Sequence, residues 1–417
     1  MARLLRTVRN HWKKSTFGVC ALSCGAKWVY NRHCDSLLRR AACQEAKEYG
    51  DQLLPVSAKV KKATVFLNPA ACNGKARNLF EKNAAPILHL SGFDVNVVKT
   101  DYEGQAKKLL ELVEDTDLII VAGGDGTLQE VVTGLLRRAD VNNFSKIPIG
   151  FIPLGNMNSL SQTLYPAIDE KTRHIVHATL AILKGETVTL DVLEIKGDKE
   201  QPVFAVTGLR WGAYRDASSK LSKFWYLGPL KDKACHLFSM YKEWPQVYRA
   251  SLAYLGPTER PPEESDEKPP RPGLWRRILR RLELYFSSPK EAEQVPMEPE
   301  HWDEVEASAV EVTISTLNKQ MDLTRTQDAM TVCIEPATLS KEEFLATGSQ
   351  KISEPHMCPE GSQILQASCC RLQLPQGTEG FFSIDNEDYE AMSVDVKLLP
   401  RKLRFFCDSI KKQQMQR

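Results

Sequence analysis

The sequence lacks the local signatures of several common functional classes. Its eleven cysteines include no C-x-x-C pair and no histidine spaced like a zinc ligand, so neither a zinc site nor a disulfide framework is predicted. There is no G-x-x-x-x-G-K-[ST] run and no H-R-D with D-F-G, which excludes P-loop NTPases and protein kinases as templates. The formal net charge of +2 gives no whole-molecule argument for a nucleic-acid partner, and none is predicted.

Extreme composition is also absent. Hydrophobic residues make up 42% and charged residues 26% of the chain, so neither global disorder nor a multi-span membrane protein is indicated. The 417 residues exceed what one hydrophobic core usually organises. The sequence therefore predicts two folded domains with a cleft between them.

Acidic residues are missing from the first 34 residues. Five basic residues, the last two being Lys13 and Lys14, precede a moderately apolar stretch from Ser15 to Tyr30. This pattern is typical of mitochondrial import signals, and residues 1–34 are predicted to be a targeting or membrane-association segment. Whether this segment spans the membrane, lies on it or is removed stays open, and an ordinary amphipathic surface helix is the alternative.

From residue 60 to residue 187 short β-branched runs alternate with helical patterns. This βαβ rhythm predicts a doubly wound α/β lobe with a parallel sheet. The strands are expected at Ala63–Leu67, Asp94–Lys99, Leu118–Ala122 and Ile147–Pro153, and the helices at Lys75–Leu90, Gly104–Leu112, Leu128–Arg137 and His174–Leu183.

After residue 188 the rhythm changes to short alternating strands, which predicts a mostly antiparallel β-sandwich lobe over residues 188–407. A Pro/Glu-rich stretch at about 256–300 interrupts it and is predicted to be a mobile insertion. Within this stretch, Leu274 to Phe286 has the pattern of a basic amphipathic helix. Such a helix could lie on an anionic membrane or pack on the β lobe, and the pattern alone does not choose.

The candidate site centres on Gly123-Gly124-Asp125-Gly126-Thr127, which joins a predicted strand directly to a predicted helix. Glycines allow a sharp turn, and the N–H groups at the start of a helix favour phosphate. Ligands bind at this end of the strands in open α/β sheets. Asp125 would repel a triphosphate unless it acts through Mg²⁺ or accepts a proton from an attacking hydroxyl.

The other strand-to-helix corners are polar as well. They carry Asn68-Pro69 with Gly74, then Lys99-Thr100-Asp101, and then Pro153-Leu154-Gly155 with Asn158. One Asn-Pro pair is an ordinary turn signal, but four polar corners in succession predict the walls of a nucleotide pocket.

These motifs, together with Glu130, Trp211-Gly212, Asp216 and Asp385-Asn386-Glu387, resemble the diacylglycerol kinase catalytic family, which includes sphingosine and ceramide kinases. The resemblance covers about residues 61–407. The basic amino terminus and Leu399-Pro400-Arg401-Lys402-Leu403 bring it closest to the mitochondrial members that act on acylglycerols. Two departures are Asn156, where the family commonly has Ser or Thr, and Asn386, where it commonly has Gly.

The resemblance implies an ATP- and Mg²⁺-dependent lipid kinase that phosphorylates monoacylglycerol or diacylglycerol at the mitochondrial inner membrane, facing the intermembrane space. It implies catalytic roles for Asp125, Asp216 and Glu387, and a metal role for Asp125. The implied nucleotide contacts are Asn68, Gly74, Thr100, Gly123, Gly124, Gly126, Thr127, Gly155 and Asn158. Asp216 would hold the acceptor hydroxyl region, and Glu387 matches a proposed base.

Three alternatives remain. A sphingosine or ceramide kinase would share the motifs. NAD kinases and phosphofructokinases also use a Gly-Gly-Asp-Gly corner, although the amino-terminal membrane signal argues against their soluble substrates. The resemblance also suggests a non-catalytic role as a subunit of the inner-membrane carrier translocase, which could coexist with kinase activity.

Overall fold

The structure, a computed structural model, describes five stretches of the chain. They are residues 12–52, 59–198, 201–260 without 243, 245 and 246, 301–375 without 321, 323 and 324, and 377–415 without 379. Most of the predicted insertion, including the predicted helix from Leu274 to Phe286, lies outside these residues. So do residues 1–11 of the predicted targeting segment.

The first lobe alternates strands and helices. Its strands are β1 (Lys62–Leu67), β2 (Asp94–Lys99), β3 (Leu118–Gly123) and β4 (Ile149–Pro153). The helices up to the end of this lobe are α1 (Trp12–Gly50), α2 (Ala76–Asn83), α3 (Ala85–Leu90), α4 (Gln105–Glu111), α5 (Asp125–Arg137), α6 (Val141–Phe144), α7 (Ser161–Leu164) and α8 (Lys171–Lys184), and a short irregular helical segment, Ala71–Gly74, precedes α2.

The four strands form a parallel sheet in the order β2-β1-β3-β4. All residues of β3 and β4 are buried, because helices cover both faces of the sheet. Helix α8 ends at Gly185, whose φ of 78° is the left-handed conformation that glycine adopts without strain. The predicted parallel sheet and helix stop are confirmed; the predicted helix 75–90 is two helices.

The second lobe is built mainly from antiparallel strands. They are β5 (Thr187–Gly197), β6 (Val203–Ala205), β7 (Gly208–Gly212), β8 (Tyr248–Leu255), β9 (Thr258–Glu259), β10 (Asp303–Thr316), β11 (Gln327–Asp328), β12 (Met330–Pro336), β13 (Gln363–Ala367), β14 (Cys369–Gln373), β15 (Phe381–Ile384), β16 (Glu387–Glu390) and β17 (Val394–Phe406). Among the described residues every pairing within this lobe is antiparallel, and most of the inward residues of its strands share one core. The predicted fold class is confirmed.

Strand β17 joins the two lobes. It runs antiparallel to β14 and β5, and at Phe405 it pairs in parallel with Ile149 of β4. The sheet is therefore continuous from β2 to the second lobe. Phe405, which pairs with the sheet of the first lobe, is therefore more than 200 residues away from that sheet in sequence. The predicted boundary at residues 187/188 stays a prediction.

Helix α1 runs through the predicted boundary at residue 34 without a break. Its carboxyl-terminal part packs on the first lobe through the buried Ala42 and Ala46. Its amino-terminal part exposes large apolar side chains, among them Phe17 and Leu22. Of the helices in the described residues, none combines the length and the apolarity that crossing a membrane requires.

Several helices after residue 188 were not predicted. They are α9 (Ala213–Ser218), α10 (Lys231–Lys242), α11 (Lys341–Ser353) and α12 (Ser409–Met415), and a 3₁₀ helix, Leu221–Leu230, precedes α10. No disulfide framework was predicted, yet Cys333 and Cys358 form a disulfide. Cys333 lies on β12 and Cys358 follows α11. The fold brings their Cα atoms to 6.0 Å, a proximity that cysteine spacing does not reveal.

Candidate active site

The carboxyl ends of the four parallel strands form one polar edge. Asn68 follows β1, and its side-chain amide donates to Thr127 Oγ1 at 3.0 Å in the first turn of α5. Thr100 follows β2, is buried, and donates its backbone N–H to Leu67 O at 3.0 Å. Hydrogen bonds thus join three of the predicted corners directly.

The glycines of the third and fourth corners allow the two loops to touch. A Cβ on Gly155 would lie 2.4 Å from Gly124 Cα, so neither corner has room for a larger residue. The backbone N–H groups of Leu154 and Gly155 both donate to Gly123 O, at 2.8 and 2.9 Å. In this structure the glycines allow the two loops to pack closely against each other. The sequence analysis had explained them by the close approach of a ligand.

A cavity of about 670 Å³ opens at this edge, and we call it the corner cavity. It is lined by residues 68–73, 100–103, 155–157 and 386–387, and by Gly124, Gly126, Thr127 and Glu130. Of the predicted nucleotide residues, Asn68, Thr100, Gly124, Gly126, Thr127 and Gly155 line it. Gly74, Gly123 and Asn158 do not line it, although each adjoins a residue that does.

Glu387 reaches the corner cavity from the second lobe on a tight hairpin. The hairpin turns at Asp385 and Asn386, whose φ values of 47° and 69° fit the two-residue turns with positive φ that join antiparallel strands. Asp385 fixes the turn, because its buried carboxylate accepts from the backbone N–H groups of Val206, Thr207 and Gly208. Asn386, where the family commonly has Gly, can adopt this turn because asparagine is among the residues that tolerate a positive φ.

The Glu387 carboxyl lies against Gly126, at the start of α5. A Cβ on Gly126 would meet Glu387 Oε1 at 1.6 Å, so the carboxyl occupies the space that the glycine leaves. Burial, together with the neighbouring Glu103 and Glu130 carboxyls, raises the pKa of Glu387 to about 7. A carboxyl with such a pKa can accept a proton near neutral pH.

Asp125 is buried beneath the corner cavity and does not line it. Its carboxylate accepts from the Ser159 N–H at 2.8 and 2.9 Å and from the Asn386 side-chain amide at 2.9 Å. Burial raises the pKa of Asp125, and the hydrogen bonds from Ser159 oppose this effect. Asp125 therefore connects the glycine corner to the hairpin that carries Glu387, and its metal role stays a prediction.

A second cavity of about 360 Å³, the lobe cavity, lies beside the corner cavity. Both are lined by Met157 and Asn386, so they meet at the hairpin. The lobe cavity is also lined by Arg210, Arg215, Lys351 and the start of the 3₁₀ helix. Its polar side chains are held by a buried ion-pair network around Glu311, which accepts from Lys351 Nζ at 2.9 Å and from the Arg215 backbone N–H at 2.8 Å.

Asp216 lies next to the lobe cavity and lines neither cavity. Its carboxylate accepts from Arg215 Nη1 at 2.8 Å and from the Tyr248 hydroxyl at 2.7 Å. Arg215 Nη2 also lies 2.5 Å from Asp388 Oδ1, on the strand that begins with Glu387. The structure thus brings Asp216 to the hairpin through Arg215, away from the corners of the parallel sheet.

The sequence analysis missed Glu103, Arg210 and Lys351. Glu103 could have been found by extending the Thr100 corner three residues towards α4. Arg210 stands between the apolar Leu209 and Trp211, and a charged residue inside an apolar strand is a signal of a buried pair. Lys351 has no such signal, because its partners Glu311 and Glu335 come from other elements.

Comparison with known families matches the two lobes separately. The diacylglycerol kinase catalytic domain matches residues 62–195, and the acylglycerol kinase C-terminal family matches residues 206–417. The chain is 64% identical to the mitochondrial acylglycerol kinase of Mus musculus, over 100% of this chain and 99% of that protein. The corresponding Xenopus laevis protein is 65% identical over 100% and 97%.

The chain belongs to the acylglycerol kinase family. It is accordingly a lipid kinase of the diacylglycerol kinase catalytic type, and the predicted resemblance is confirmed. A crystal structure of a Bacillus anthracis protein described as a diacylglycerol kinase has the same fold, with a TM-score of 0.54 at 18% identity over 86% of this chain and 99% of that one. Both structures thus join a parallel first lobe to an antiparallel second lobe.

Proposed function

We propose that this chain transfers the γ-phosphoryl group of ATP to a hydroxyl of monoacylglycerol or diacylglycerol, giving lysophosphatidic acid or phosphatidic acid. The observation that carries the proposal is the meeting of the corner and lobe cavities at Met157 and Asn386, with Glu387 at the junction. ATP would occupy the corner cavity and the acceptor head group the lobe cavity. Their reacting atoms then meet beside the Glu387 carboxyl.

The corner cavity suits the donor nucleotide. The amino-terminal end of α5 and the N–H groups around Gly124 and Gly126 favour phosphate. Asn68 and Thr127 line the cavity as a hydrogen-bonded pair and would fix the position of the nucleotide. Thr100 lines the same wall from the next corner. Transfer through a loose transition state depends mainly on this positioning and on charge neutralisation.

Mg²⁺ fits the acidic side of the corner cavity. In the described residues no three His, Cys, Asp or Glu side chains are arranged to hold a metal, but Mg²⁺ at a triphosphate commonly uses only one or two carboxylates. Asp101, at the Thr100 corner, presents such oxygens to the cavity, and Glu387 stays free to accept a proton. The ion would neutralise charge on the phosphates. Asp125, the residue predicted for the metal, is better placed to hold Asn386 and Ser159 in position.

Glu387 would act as the base. As the acceptor oxygen forms its bond to phosphorus, its O–H bond breaks, the proton passes to the Glu387 carboxylate, and the bond from phosphorus to the ADP oxygen breaks. A pKa of about 7 suits this role, because a base works best when its pKa lies near the operating pH. Asp216 would orient the acceptor indirectly through Arg215.

The location proposed is the mitochondrion, since the similar proteins of mouse and frog are named mitochondrial, and the inner membrane stays a prediction from the resemblance. The intermembrane-space side, and a further role as a subunit of the inner-membrane carrier translocase, stay predictions from the resemblance. A sphingosine or ceramide acceptor stays the alternative substrate.

The test is phosphorylation of a lipid panel by the purified full-length chain with labelled ATP. The panel contains monoacylglycerol, diacylglycerol, sphingosine and ceramide. Glu387→Gln should lower kcat on the order of 10²-fold while ATP binding is retained. Glu390→Gln is the matched control, because Glu390 lies exposed at the other end of β16. A folded wild-type protein that phosphorylates no lipid, or a fully active Glu387→Gln, would overturn the proposal.

A further inference from the structure

An exposed apolar surface lies at the mouth of the lobe cavity. Six large side chains form it, and we call it the aromatic face: Trp225, Tyr226, Leu230, Leu237, Phe238 and Tyr241. Their exposed fractions run from 53% for Leu237 to 93% for Tyr241. Single exposed apolar residues are ordinary, but a contiguous group marks a surface that binds something apolar.

The aromatic face is part of the folded lobe. Helix α10 buries Cys235, His236 and Met240 on its inner side, so its outward Leu237 and Tyr241 make the helix apolar on both sides. Phe224 of the 3₁₀ helix stacks on Phe238 of α10 with ring centroids 5.2 Å apart, which joins the two helices. A helix that is apolar on its outer side needs a partner for that side.

Basic residues surround the aromatic face. Between residues 220 and 241 there are four lysines, Lys220, Lys223, Lys231 and Lys233, and one acidic residue, Asp232. Lys223, Lys231 and Lys233 are exposed. Tryptophan and tyrosine favour the boundary between lipid and water, and lysines near them attract anionic head groups.

The aromatic face is also continuous with the lobe cavity. Leu221, Ser222, Trp225 and Lys231 line that cavity, and they belong to the same two helices. An acylglycerol could therefore move from a bilayer touching the aromatic face into the cavity while its acyl chains stay in contact with apolar surface. A soluble acceptor would not need this arrangement.

We propose that the aromatic face docks the second lobe onto an anionic lipid bilayer and delivers the acceptor from the bilayer to the lobe cavity. This rests on the proposed lipid kinase function. Of the possible occupants, a lipid surface agrees best with the lysines and with the continuity to the acceptor cavity. A second copy of the chain or another protein are outcomes of the test below.

The test compares two presentations of the acceptor to the full-length chain. One is long-chain diacylglycerol in vesicles of phosphatidylcholine and phosphatidylglycerol, and the other is a short-chain diacylglycerol dissolved as monomers. Leu237→Gln/Tyr241→Gln should lower kcat/KM for the vesicle substrate on the order of tenfold and leave the monomeric substrate unchanged. Leu112→Gln/Ile364→Gln is the matched control, since these side chains are 76% and 58% exposed elsewhere on the chain.

A second variant tests the charge without removing apolar surface. Lys223→Gln/Lys233→Gln should lower activity on vesicles that contain phosphatidylglycerol and not on vesicles of phosphatidylcholine with diacylglycerol alone. Vesicle flotation of each full-length variant is measured in parallel, because it reports binding independently of catalysis. Sedimentation velocity reports the oligomeric state.

The outcomes separate this proposal from the function on which it rests. Equal losses of activity on both substrates would show that these residues belong to the acceptor site. Unchanged activity on vesicles would show that the aromatic face does not bind the bilayer. Either result overturns the proposed docking. A dimer that dissociates in Leu237→Gln/Tyr241→Gln would assign the face to a second copy instead. If the wild type phosphorylates neither substrate, the proposed function fails, and flotation alone still decides whether the face binds vesicles.

Discussion

Glu103 offers a direct test of Glu387 as the base. Burial is the largest cause of the raised Glu387 pKa, and the neighbouring Glu103 carboxyl is the next. Glu103→Gln removes that negative charge and leaves the burial unchanged. Because a like charge disfavours ionisation, its removal should lower the Glu387 pKa from about 7 towards its ordinary value of 4.5.

The size of the effect follows from the fraction of Glu387 that is ionised. With a pKa of about 7, about 9% of the carboxyl is ionised at pH 6 and about 91% at pH 8, so kcat/KM should rise about tenfold between these values. Losing one adjacent charge moves a carboxyl pKa by about one or more. If the pKa falls to about 6, the rise between pH 6 and pH 8 shrinks to about twofold.

The assay measures kcat/KM for the acceptor at saturating ATP and Mg²⁺ from about pH 5.5 to about pH 8.5, a range that extends about one to two pH units to each side of the expected pKa. Glu111→Gln is the control, since it removes the same charge from the exposed end of α4 without contact to Glu387. An unchanged profile in Glu103→Gln would refute the coupling. If Glu387→Gln keeps some activity and shows the same pH dependence of kcat/KM as the wild type, Glu387 is not the base.

Three further expectations follow from the packing. Gly126→Ala should lower kcat but keep the melting temperature, because the added Cβ displaces only the flexible end of the Glu387 side chain. Gly134→Ala should instead cost about 1–3 kcal/mol of stability, because its Cβ would meet the Lys107 backbone. Single-turnover assays measure the first effect and thermal melts the second. Asp216→Asn should lower kcat/KM for the lipid and leave ATP affinity within about twofold, and equal damage to ATP binding, measured by calorimetry, would contradict this. Cys358→Ser opens a disulfide that spans 25 residues and should cost about 3 kcal/mol in denaturant unfolding, an expectation that fails if reduction leaves the wild-type midpoint unchanged.

The first lobe could be predicted because its signals are local. Strands β1, β3 and β4 are short apolar runs and β2 is a valine-rich one, and each glycine or polar corner follows its strand directly in sequence. Topology then brings these corners together without further information, since parallel strands end at one edge. Asn68, Thr100 and Thr127 lie on the corner cavity for this reason.

The second lobe was harder because its interactions join distant residues. The Asp385 carboxylate that fixes the hairpin accepts from residues 206–208, and Lys351 is paired with Glu311 and Glu335 from two other strands. No sequence spacing encodes such pairs. The unpredicted helices α9 and α10 also lack a simple amphipathic pattern, since α10 is apolar on its outer side as well.

Helix α5 explains how a site divided between two lobes can be kept in one geometry. Its first residue, Asp125, holds the Asn386 amide at 2.9 Å, and one turn later the Gln129 amide donates to the Tyr389 hydroxyl at 2.9 Å. Asn386 and Tyr389 flank Glu387 and Asp388 on the hairpin, so one helix of the donor lobe fixes the position of the proposed base from both sides. Because the same helix begins at the phosphate corner, the distance from nucleotide to base depends on a single rigid element.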